Sequence, residues 1–92
     1  MKDSVKILDA TMDITDPNNN FEKSLSSLNR QAEEAVREGY VHIILSDKNL
    51  SKNNVALPMI LATSSVHSHL IKKSLRTYIS VSYTHLTLPT TD

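Results

Sequence analysis

Ninety-two residues suffice for one small domain but not for a large buried core. Ten acidic and ten basic residues cancel, so the concentrated positive surface that nucleic acid requires is missing, as is any long acidic or basic block. The absence of cysteine excludes disulfides, thiolate metal sites and cysteine nucleophiles, and no apolar run nears the roughly 20 residues that cross a bilayer. Met1-Lys2-Asp3-Ser4 lacks the charged-then-apolar pattern of a signal peptide. The expectation is a soluble, cytoplasmic protein with neither a nucleic-acid nor a membrane partner.

Val5 to Ala10 is a short aliphatic run suited to a strand. From Asp13 to Asn20 the chain is rich in Asx residues, and Pro17 pushes Asp16 into an extended conformation, so a loop is expected. One of the asparagines caps the helix that follows; with Asn19 as the cap, Glu22 sits at the third helical position, close to a capping box. Its apolar stripe is Phe21, Leu25, Leu28, Ala32, Ala35 and Val36, spaced by threes and fours. Arg30 with Glu34, and Glu33 with Arg37, fall four apart on the wet side. Gly39, the one glycine of the chain, supplies a left-handed terminal residue.

Tyr40 to Leu45 is a nearly continuous apolar run, the pattern of a strand covered on both faces. A polar loop covers Ser46 to Asn49 and Ser51 to Asn54. Pro58 then opens a second helix with Met59, Ala62, Thr63, Val66 and Leu70 as its buried side. Tyr78 to Val81 begins a third strand. Strand, helix, strand, helix, strand implies an α/β unit of three parallel strands joined by right-handed crossovers. Strand order one-two-three follows for a piece of a barrel; a doubly wound sheet is the alternative.

Sites in such folds gather at the carboxyl ends of strands. Asp9 ends the first strand and Ser46-Asp47 the second, so these three are the candidate site residues. Turn hydrogen bonds and helix caps account for the same residue types more simply, since Asp and Ser are enriched there for local reasons. His67 and His69 are two apart on a helix and cannot chelate one metal together, and the His-Glu-x-x-His spacing is absent. His67 reads as a partly buried, hydrogen-bonded residue, His69 leans toward the lysines, and His42 reads as strand packing. No glycines mark a phosphate cradle at either strand-helix turn, and Ser46 is in no Gly-x-Ser-x-Gly elbow. No catalytic, cofactor-binding or metal-binding residue is therefore assigned.

Several segments carry a resemblance to a known family. They are Leu8-Asp9-Ala10-Thr11, then Gln31-Ala32-Glu33-Glu34-Ala35-Val36-Arg37-Glu38-Gly39, then Ile44-Leu45-Ser46-Asp47-Lys48. Leu57-Pro58-Met59-Ile60-Leu61-Ala62, Val66-His67-Ser68-His69-Leu70-Ile71 and Leu75-Arg76-Thr77 follow. In order and spacing these resemble the central domain of the glutamate synthase large subunit over about residues 5 to 80. Lys48 stands where the family pattern has arginine, and Ser68 interrupts its histidine run.

The resemblance implies a barrel-like α/β parent domain lying between two others. An amidotransferase domain releases ammonia from glutamine, and an FMN-bearing barrel with an iron–sulfur cluster reduces the adduct of ammonia and 2-oxoglutarate. A small electron-donating subunit or ferredoxin supplies electrons. The role it leaves to residues 1–80 is a structural one: spacing the two active sites and helping enclose the ammonia route. Beyond Ser80 the pattern is lost, and Val81 to Thr91 resembles translated sequencing-adaptor read-through, so residues 81–92 are read as a non-native tail. Two rival readings are a free-standing α/β ligand-binding module gripping its ligand with Asp9 and Asp47, and a hydrolase built on Ser46 and a histidine.

Overall fold

The computed structural model describes residues 2–75 and 79–84. The elements are β1 (Lys2–Asp9), β2 (Thr11–Asp13), α1 (Phe21–Arg37), β3 (Tyr40–Ser46), β4 (Asn54–Ala56), α2 (Met59–Lys72) and β5 (Ser80–Thr84). The expected alternation is present: β1, β3 and β5 form a parallel sheet in the order β1-β3-β5. Sequence neighbours are thus spatial neighbours, the order expected for a piece of a barrel.

α1 and α2 lie side by side on one face of this sheet. Leu8, Ile43 and Leu45 meet Leu28, Ala32 and Ala35 of α1 and Ala62, Val66 and Leu70 of α2 in one core. Val81 and Tyr83 pack against the same core from β5. Polar groups tie the helices together above it. The Asn29 amide donates to Ser65 Oγ at 3.0 Å, and His69 Nε2 lies 2.7 Å from Glu33 Oε1. The other Glu33 oxygen accepts from Arg37 Nε at 3.0 Å, the expected i,i+4 pair.

The opposite face of the sheet carries no layer within the described residues. Alternation sends Val5, Ile7 and Asp9 there from β1, with His42, Ile44 and Ser46 from β3 and Ser80, Ser82 and Thr84 from β5. Two sequence expectations are corrected by this. β3 is covered on its helix side alone, and His42 is exposed on the open face rather than packed. The apolar run at Tyr40 to Leu45 was a sound strand signal, but the layer that would cover its second face is not among the described residues.

Local chemistry shifts several boundaries. Of the asparagines expected to cap α1 it is Asn20 that does so: its side chain accepts from Lys23 N at 2.8 Å, while Asn19 Nδ2 donates to the Asp13 carbonyl. Phe21 and Met59 were expected inside, yet 46% and 42% of their surfaces are exposed; each is the first residue of its helix, ahead of the turns that pack on the core. Gly39 takes φ 106° after α1, as expected. α2 has no glycine at the equivalent place, and Ser74 adopts φ 57°. Ser74 N donates to Ile71 O and Leu75 N to Leu70 O, a Schellman ending. Tyr78, the expected start of the third strand, lies outside the described residues. β5 is seen from Ser80, and the expected native boundary after Ser80 falls inside it.

A second, antiparallel sheet pairs β2 with β4, Met12 opposite Val55. The sequence reading has loop here. Three-residue strands are too short to display a period, and polar Asn54 and Asp13 hide them.

Candidate functional site

β1 and β3 deliver Asp9 and Ser46 to the same rim in direct register, and Thr84 of β5 completes the row. The structure therefore brings two of the three candidates side by side, with Asp47 one residue beyond. Each is engaged in hydrogen bonds within the fold. Asp9 Oδ1 accepts from Thr11 N at 3.0 Å and Thr11 Oγ1 at 2.6 Å, and Oδ2 accepts from Asn49 Nδ2 at 3.0 Å. Ser46, buried under the loop that follows it, accepts from Lys48 N at 3.2 Å through its Oγ.

Asp47 is 3% exposed. Its backbone N donates to Thr84 O at 3.3 Å and its carbonyl accepts from Leu50 N, so it bolts β5 to the turn after β3. The adjoining cleft, lined by Ile7, Leu8, Asp9, Ser46, Lys48 and Asn49, encloses about 200 Å³. Small-molecule sites run to roughly 300–1,000 Å³. The hydrogen bonds of the rim residues hold the loops that follow β1 and β3.

Tyr83 is the rim residue that sequence reasoning missed. Its hydroxyl donates to the Leu57 carbonyl at 3.0 Å, linking β5 to the segment entering α2. Burial pushes its phenol pKa up, and the negative charges of Asp47 and Asp9 push it further. Thr11 was legible in principle. Asp9-Ala10-Thr11 and Asp13-Ile14-Thr15 share an Asp-x-Thr spacing, and in both the Asp accepts from the backbone and hydroxyl of the Thr two residues on. Those Thr15 bonds, side chain first, hold the Asp13 carboxyl below its ordinary value. Asn49 reaches Asp9 across 40 positions, and no local pattern announces it.

The glutamate synthase central domain profile matches residues 1–85. The chain belongs to that family. Among its relatives is the glutamate synthase [NADPH] large chain of Azospirillum brasilense, 37% identical over 81 residues covering 88% of this chain and 5% of that protein. The Bacillus subtilis counterpart is 41% identical over 61 residues, 66% of this chain and 4% of that protein. The chloroplastic ferredoxin-dependent glutamate synthase of Spinacia oleracea is 44% identical over 63 residues, again 66% and 4%. This chain thus spans about one-twentieth of the length of these relatives.

The glutamate synthase resemblance implied FMN and an iron–sulfur cluster, and the residues of this segment do not fit either group. Cluster ligation needs thiolates and the chain has none. A flavin phosphate needs an open strand-helix turn with small residues, and the one glycine of this central-domain segment ends α1 at the opposite end of the sheet from the rim. Among the described residues no three His, Cys, Asp or Glu side chains gather as metal ligands. None of the helices described is long and apolar enough to cross a membrane.

Proposed function

We propose that this chain is a structural segment of a glutamate synthase large chain, acting as part of the spacer between the amidotransferase and FMN domains and helping enclose the ammonia route. It performs no chemical step itself; FMN, the iron–sulfur cluster and the contacts with a small electron-donating subunit or ferredoxin belong to other parts of the parent. The observation that carries this reading is the open face of the parallel sheet. Val5 and Ile7 are 44% and 53% exposed there, in a chain equivalent to a twentieth of its relatives. Val5, Ile7 and Ile44 form an aliphatic patch on that face, and such a patch in water is a surface awaiting cover. The hydrogen bonds spent by Asp9 and Ser46 on neighbouring amides support the same reading.

Residues 81–92 are taken as a non-native tail on the resemblance to adaptor sequence, although the family match runs to residue 85. β5 pairs with β3 through backbone groups that any sequence supplies, while the packing of Val81 and Tyr83 against the core and the Tyr83–Leu57 bond are side-chain contacts that speak for a later boundary.

The test is Ile44→Asp in the full-length large chain. Disturbing the spacer should uncouple the enzyme, so that more glutamine is hydrolysed than 2-oxoglutarate consumed, with each half-reaction retained. Loss of one half-reaction on Asp9→Asn or Ser46→Ala, with the fold intact, would make the rim a chemical site and end the proposal.

A further inference from the structure

The two helices that cover the sheet have outer faces of opposite character. On α1 the exposed residues after Phe21 are Glu22, Lys23, Ser26, Arg30, Glu34 and Arg37, a charge-laced face of the kind that meets water. On α2 the exposed residues before Lys72 are Met59, Ile60, Leu61, Ser64, Ser68 and Ile71, with no charge among them. Ile60 is 75% exposed and Ile71 60%. At 100° per residue, Ile60, Ser64, His67 and Ile71 fall within about 60° of arc, and at 1.5 Å per residue they run about 16 Å along the helix. A shallow trough lined by Thr63, Ser64, His67, Ser68 and Ile71 follows that line. This stripe faces away from Ala62, Val66 and Leu70, which are committed to the core.

A helix apolar on both sides is characteristic of one covered on both sides. We infer that the outer face of α2 is a second docking surface, covered by a helix of the same polypeptide lying outside these 92 residues. The inference rests on the proposal that the chain works inside a large chain about twenty times its length, which supplies the occupant. The stripe is narrow and straight, with Ile60 and Ile71 at its two ends, so it fits a single helix lying along it. The contrast with α1 makes the burial selective: α2 is an interior helix and α1 a surface helix.

The experiment uses the full-length large chain carrying Ile60→Cys, Ile71→Cys or, on α1, Ser26→Cys, with maleimide labelling of each position read by mass spectrometry after digestion. Positions 60 and 71 should label at least tenfold more slowly than position 26, at every protein concentration. Equal labelling of all three overturns the inference. So does protection that disappears on dilution, which would make the occupant a second copy. Hydroxyl-radical footprinting of the unsubstituted large chain needs no variant: weak oxidation of Ile60, Leu61 and Ile71 is expected, and oxidation at the denatured rate overturns the claim. The ammonia coupling of Ile44→Asp is a separate readout, so spacing and docking fail independently.

Discussion

Replacing Ile7 by alanine should cost much more in the full-length large chain than in the 92-residue chain. Ile7 sits on the open sheet face, paired with Ile44, and 53% of its surface is exposed. Burying a whole Ile side chain is worth about 1.5–3 kcal/mol, so roughly half of that, about 1 kcal/mol, is realised in the isolated chain. With the face covered, the substitution removes a fully buried side chain and leaves a cavity, which costs about 2–5 kcal/mol. Amide hydrogen exchange in β1 and β3 reads both cases as local opening free energies. Protection should fall about fivefold in the chain and about 30-fold or more in the large chain. Equal losses in the two contexts would mean that nothing covers the sheet, and the spacer reading would lose its physical basis.

Three further expectations concern the chain itself. Ser74→Gly should stabilise it by about 0.5–1 kcal/mol, since φ 57° costs a residue with a Cβ and suits glycine; a lower melting temperature would refute the Schellman assignment. Tyr83→Phe should cost about 0.5–1.5 kcal/mol by removing the bond to the Leu57 carbonyl, and an unchanged urea midpoint would show that β5 is not bolted to the α2 entry. Glu33, held below its ordinary value near 4.5 first by His69 and then by Arg37, contributes stability that is complete above pH 4.5 and lost as the pH falls through the lowered native value. Glu33→Gln should therefore flatten the acid limb of the stability profile below that pH, and an unaltered acid limb would rule out the clasp between the helices.

The parallel unit was legible because its signals are local and periodic. The α1 stripe through Leu28, Ala32 and Ala35, the stop at Gly39, and the aliphatic runs of β1 and β3 each need a few consecutive residues to be read. Where the reading slipped, the deciding partner was distant or missing. The apolar run of β3 cannot say which of its faces is covered in this chain, and so His42 was placed inside. Asn19 and Asn20 offer the same capping chemistry, and the choice between them falls to the Asp13 carbonyl that engages Asn19. At the rim, Asp9, Ser46 and Asp47 are legible by position, whereas Asn49, which donates to Asp9, and Tyr83, which donates to the Leu57 carbonyl, arrive by topology. The apolar outer face of α2 was written in the sequence as a helix without a polar side, but its meaning requires knowing which side the core occupies.

The central claim is that this unit presents apolar faces that another part of a longer polypeptide completes. Sedimentation velocity of the purified 92-residue chain over a hundredfold concentration range, paired with thermal unfolding, tests it most directly. Association that grows with concentration and a broad melt are the predicted results. A monomer throughout, melting in one sharp transition, would contradict it.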